Sequence, residues 1–166
     1  LLLSPSGGLG GGIERYVETL QWAFRAQAVP CARANLEEPG LAEHWRLLRR
    51  LDAPWAGSGA VRIVAAHRAL LPVAWRLGQR PAVTGISVIC HGSDVWAARA
   101  RPRGWLAKRV MHSRRVRVVA ASSFTAGAVG VSRGATVLPP GLSGPWFDEL
   151  AKAGVPGRGP AAPSGC

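Results

Sequence analysis

The chain has 166 residues, of which 48% are apolar and only 18% charged, which admits one domain with its own core and excludes both a disordered chain and two domains of ordinary size. Lys and Arg number 21 against 9 Asp and Glu, for a formal net charge of +12. That excess favours anionic partners such as phosphates, nucleic acid or acidic lipid without choosing among them, and an Arg-rich composition spread along the chain accounts for it equally well.

Leu1 to Leu3 read as the end of a buried strand already in mid-stride, which suggests a clipped N-terminus. Ser4 to Gly12 then supply a glycine-rich turn, and from Ile13 the apolar residues Val17, Leu20 and Phe24 recur at helical spacing. Leu41, Trp45, Leu48 and Leu51 repeat that spacing with Arg46, Arg49 and Arg50 between them, so a second amphipathic helix is expected to end near Pro54. Val61 to Ala66 is a short β-branched strand, followed by His67 and a helical stretch from Ala69 to Leu77 that Gly78 closes. Val83 to Cys90 is a buried strand leading into the polar loop His91-Gly92-Ser93-Asp94. Trp105 to Arg115 reads as a helix with Leu106 and Val110 inward, Val116 to Ala120 as a strand, and Ser122 or Ser123 as the N-cap of a helix through Val129. Ala135 to Leu138 is a last strand, and the Gly, Pro, Ala and Ser of the 151–166 stretch read as a linker or frayed tail after a 1–150 domain. Strands alternating with helices predict an α/β fold, a Rossmann-like parallel sheet with helices on both faces.

Two features are candidates to carry chemistry. The glycine loop, with Gly10, Gly11 and Gly12 at the start of a helix, lets backbone approach a ligand and offers free N–H groups to a diphosphate. It is neither a dinucleotide fingerprint, since position 13 is Ile, nor a P-loop, since no Gly-Lys-Ser/Thr follows, and a merely tight turn remains the alternative. His67 and His91 each follow a strand, so their loops are expected to open on one edge of the sheet. There His91 would donate a hydrogen bond to a sugar hydroxyl or carbonyl and Asp94 would orient it. Cys31, Cys90 and Cys166 form no C-x-x-C, which supports neither disulfides nor zinc and fits a reducing cytosol. No apolar run approaches the roughly 18 residues of a membrane span.

Four blocks, in this order, resemble the family 4 glycosyltransferases, retaining enzymes of the two-domain GT-B type. They are Ser6-Gly-Gly-Leu-Gly-Gly-Gly-Ile-Glu-Arg15, Val88-Ile-Cys-His-Gly-Ser-Asp94, Val118-Val-Ala-Ala-Ser-Ser-Phe-Thr125 and Val137-Leu-Pro-Pro-Gly-Leu142, and they cover roughly Leu1 to Phe147. The resemblance implies the N-terminal, acceptor-side half of an enzyme that moves a sugar from a UDP- or GDP-linked donor to an acceptor hydroxyl with retention. No cofactor and no obligatory metal are implied. It places Gly11 and Gly12 against the donor diphosphate, His91 against the transferring sugar, and Ser123 and Thr125 in a turn lining the cleft; the loop positions of Ser93, Asp94 and His67 add them to the same cleft. Pro140-Gly141 would lead toward a second domain that grips most of the nucleotide with a Glu-x7-Glu motif. No two glutamates here have that spacing, and Leu142-Ser143 stands where Val-Asp is common. The donor-binding half is therefore expected to be absent, and this chain alone to show no transfer.

The alternative is a non-catalytic Rossmann-like module for a phosphorylated metabolite. A nucleic-acid partner is disfavoured, because no recognisable module accompanies the charge. The stretch from Arg99 to Arg117, with Trp96 and Trp105, offers peripheral contact with an anionic membrane and a lipid-linked acceptor, against the plainer reading of a solvated helix face. The expected location is cytoplasmic, with that contact at the inner face of the membrane.

Overall fold

The computed structural model describes residues 1–5, 11–38, 40–51, 59–92, 102–131, 134–141, 148 and 152. Strand β1 (Leu2–Pro5) is followed by α1 (Gly12–Ala26), β2 (Arg33–Leu36) and α2 (Leu41–Arg50). Then come β3 (Val61–Ala65), a 3-10 turn (Arg68–Leu70), α3 (Leu71–Leu77) and β4 (Val83–Cys90). Helix α4 (Pro102–Met111), β5 (Val116–Ala120), α5 (Ser123–Val129) and β6 (Thr136–Val137) complete the order. All six strands are parallel, in the order β2-β1-β3-β4-β5-β6, and the fold is Rossmann-like α/β with helices on both faces. Among the described residues no helix is long and apolar enough to cross a membrane.

The two faces are unequal. Leu3, Ile63, Ala65, Ile86, Val88, Val116 and Val118 point to one side, where Leu47, Leu71, Leu77, Met111 and Val129 bring α2, α3, α4 and α5 into a single large core. On the other side α1 rests on two small clusters, Val17 with Leu2 and Ala66, and Tyr16 with Ile89 and Val119. Strand alternation separates the two sets, since neighbours along a strand face opposite ways.

Two local expectations need correction, one strand was not expected, and one helix end holds for a further reason. Strand β2 went unanticipated because Arg33-Ala-Asn-Leu36 has no β-branched residue; this edge strand is held by polar pairing. Ser4 Oγ donates to Asn35 Oδ1 at 2.6 Å, and Arg33 Nε and Nη1 reach Asn35 Oδ1 at 2.8 Å and Gln21 Oε1 of α1 at 3.0 Å. In α2 the inward residues are Glu43 and Leu47, followed by the buried C-cap Leu51, while Leu41 and Trp45 are 62% and 63% exposed. Leu47 packs that face into the main core, and the buried Glu43 carboxylate beside it accepts from Arg46 and from Arg50 at 2.8 Å each, while Arg50 also holds Glu37 at 2.6 Å. Helix α4 begins at Pro102 rather than Trp105 and stops at Met111, because Ser113 turns the chain into β5 through a Val116 N–H bond to its carbonyl at 3.0 Å. Gly78 does close α3, but in a right-handed conformation. Its reason is space: a Cβ there would meet Ile86 Cδ1 at 2.5 Å.

Candidate functional site

The strand order places a topological switch point between β1 and β3: the first crossover leads outward to β2, and the later ones run the other way. In parallel sheets the crevice beyond the strand C-termini at such a point is where ligands bind. Here that crevice is bordered by the start of α1 after β1, by Ala66 and His67 after β3, and by His91 after β4.

Gly11 is the N-cap of α1, in extended conformation, and among the described residues no side chain caps the helix. The N–H groups of its first turn therefore have no partner within the helix and face the crevice end of the sheet, with the positive end of the helix dipole behind them. Gly12 has open space around it, since a Cβ there would find no atom within 4 Å.

The two histidines are brought together. Their rings stack with centroids 6.2 Å apart and an interplanar angle of 15°. His67 Nδ1 accepts the Ala69 N–H at 3.1 Å and caps the 3-10 turn. His91 Nε2 lies 2.9 Å from the Ala66 carbonyl oxygen. A carbonyl only accepts, so Nε2 carries the hydrogen, and a neutral His91 presents Nδ1 to the crevice as an acceptor. Donation from Nδ1 to a sugar oxygen therefore requires the imidazolium form. The orienting partner visible for His91 is this backbone carbonyl; Asp94, Ser93 and Gly10 lie outside the described residues.

Sequence reasoning missed Tyr16. Its ring meets His91 edge-on at 90° with centroids 5.4 Å apart, and its hydroxyl donates to the Leu138 carbonyl at 2.9 Å. The signal was present, because Tyr16 completes the i, i+3, i+4, i+7 stripe of Ile13, Val17 and Leu20. One helical turn separates Tyr16 from Gly12, so the ring contact brings the helix start to His91. A second tie is made by the Thr19 hydroxyl, shared between the Arg15 and Gly141 carbonyls at 2.9 and 3.2 Å. Pro140-Gly141 is thereby held against α1.

The turn after β5 distributes its hydroxyls differently from expectation. Ser122 is the N-cap: its Oγ accepts the Thr125 N–H at 3.1 Å and lies 2.9 Å from Thr125 Oγ1. The sequence reading sets Thr125 on the cleft wall, yet its side chain is buried at 2% exposure and closes the cap from within. Ser123 is the exposed hydroxyl of the pair.

Burial raises the Tyr16 phenol above its ordinary value by desolvation. The folded chain then keeps a proton that the unfolded chain has released, so this contribution to stability is complete below about pH 10 and drains away as pH rises beyond it. Urea midpoints at pH 9 and pH 11 are expected to fall more steeply for the native chain than for Tyr16→Phe; equal slopes would remove the assignment.

No family model, curated protein or solved structure matches the chain.

Proposed function

We propose that this chain is the acceptor-side half of a retaining glycosyltransferase, binding the diphosphate of a UDP- or GDP-linked sugar at the start of α1 and the sugar beside His91. The observation that supports the reading is the convergence of an uncapped glycine-led helix start and the His67–His91 stack at the switch point of a parallel sheet. Gly11 and Gly12 supply backbone N–H groups to phosphate oxygens. His91 acts on the sugar or acceptor hydroxyl through Nδ1, accepting when neutral and donating when protonated, and Tyr16 and the Ala66 carbonyl hold its ring. His67 and Ser123 border the same cleft, and no metal is needed for these contacts. The reaction type rests on the resemblance of the four sequence blocks, and the crevice geometry is compatible with it. By the same resemblance, a cytoplasmic setting, with a lipid-linked acceptor at the inner membrane face, belongs to this proposal.

The test is binding, because the resemblance assigns most of the donor grip to a second domain whose motif this sequence lacks. Uridine and guanosine diphosphate and their hexose conjugates are titrated into the chain while imidazole and glycine amide resonances are followed. Shifts at His67, His91, Gly11 and Gly12, with His44 and His112 unmoved, are expected. Silence at all four positions with saturating nucleotide defeats the proposal. Equal responses to nucleotide and to inorganic pyrophosphate, with none added by the sugar, would move the assignment to a phosphorylated-metabolite module.

A further inference from the structure

The sheet has a second polar feature, at the opposite end of its strands. Arg62 is the second residue of β3, Ser87 belongs to β4 and Arg117 is the second residue of β5. The register sets Arg62 beside Gly85, and Ser87 beside Arg117. Together with Arg114 and Arg115 from the turn ahead of β5, and Thr136 of β6, they line a concavity of about 360 Å³. That volume lies at the lower end of small-ligand sites.

Two observations set this recess apart. The sheet face changes character along its strands: beneath α1 it presents Leu2, Val64, Ile89 and Val119, whereas toward the strand N-termini it presents Arg62, Ser87 and Arg117. A parallel sheet is ordinarily apolar and covered on both faces, yet Arg62 and Arg117 are exposed. Among the described residues these charges have no acidic counterpart: no Asp or Glu of that set lines the concavity, and its ion pairs use Arg46 and Arg50 instead. Arg115 is steadied by the Gly78 carbonyl at 3.3 Å, while Arg62, Arg114 and Arg117 have no carboxylate partner among the described residues. Four like charges around one recess repel each other until an anion enters.

We propose that this recess is a binding site for a phosphate-bearing anion, separate from the histidine edge and independent of the sugar-transfer reading. Guanidinium forks match phosphate oxygens in paired hydrogen bonds, and the Ser87 and Thr136 hydroxyls add donors of the same use. A free phosphorylated compound and an acidic phospholipid headgroup offer this one chemistry.

The experiment is calorimetric titration of the full chain with inorganic pyrophosphate at fixed ionic strength. It is run on the native chain, on the double variant Arg62→Gln/Arg117→Gln, and on Arg25→Gln, an exposed cation at the far end of α1. The double variant is expected to weaken binding by about tenfold or more, as for the loss of hydrogen bonds to a charged partner, and Arg25→Gln to leave it unchanged. Both changed positions are exposed, and far-UV circular dichroism verifies the fold. Any pyrophosphate bound at the glycine loop is untouched by these substitutions. Sedimentation with phosphatidylglycerol vesicles separates the sources: dependence on Arg62 and Arg117 there, without pyrophosphate binding, assigns the site to a headgroup. Equal affinity in the double variant, equal loss in Arg25→Gln, or no binding to either probe overturns the proposal.

Discussion

Replacing Gly12 with valine is expected to leave the fold at full stability while the response to nucleoside diphosphates falls by about tenfold or more, since the side chain fills space that only glycine leaves to a ligand. The expectation rests on a contrast within one residue. Gly12 opens α1, is not among the glycines with positive φ, and would set a Cβ in empty space. Nothing among the described residues therefore requires glycine there. Substituting a helical glycine removes backbone entropy from the unfolded chain, so stability is expected to hold or to rise by up to about 0.5 kcal/mol. The requirement has to come from outside, from phosphate oxygens drawn up to the first-turn N–H groups. Thermal unfolding and nucleotide titration of the same variant decide the matter. A variant that unfolds early and still binds would show a tight turn and no cradle.

The second large effect concerns the inequality of the two sheet faces. Ile63→Ala is expected to lower the unfolding free energy by about 2–5 kcal/mol, the range for truncating a large buried aliphatic side chain. Ile63 is fully buried in the main core, at 0% exposure. Val64, its neighbour on the α1 face, is only half-buried and packs against two clusters of three buried residues each. Val64→Ala is expected to cost about 1 kcal/mol, the centre of the distribution for point substitutions. Against a total of roughly 5–15 kcal/mol, the first change is a severe loss and the second a mild one. Urea unfolding with an unchanged slope reads both, and near-equal midpoints would contradict the division of the core.

Much of this architecture is legible in the residues. Val61 to Ala65, Val83 to Cys90 and Val116 to Ala120 are β-branched runs bounded by turns, and the helices between them carry apolar repeats. Sequence patterning fails where polar groups decide. Arg33-Ala-Asn-Leu36 is a strand through Ser4, Asn35 and Arg33, and only three-dimensional register shows that these groups meet. In α2 the buried face holds Glu43 beside Leu47, with the carboxylate held by Arg46 and Arg50, and the apolar spacing of Leu41 and Trp45 does not reveal that ion pairing. At the crevice, the placement of His67 and His91 after neighbouring strands was readable from loop order. The direction of the His91 ring was not, since the Ala66 carbonyl and the Tyr16 edge that fix it are distant in sequence.

The bonds from Tyr16 to Leu138 and from Thr19 to Gly141 join the helix that starts at Gly12 to the segment that follows the last strand. Occupancy at the start of that helix and the order of residues 138–141 against its first two turns are therefore expected to be linked, and linkage is reciprocal. A ligand that orders the first turn of α1 would slow amide exchange at Leu138 and Gly141, and a partner that restrains that segment would tighten the ligand by the same factor. In Tyr16→Phe, with one of the two bonds gone, the transmitted protection should shrink. The first half of α1 and the exit of the last strand are thus tied directly, although Tyr16 and Leu138 are 122 positions apart in the chain.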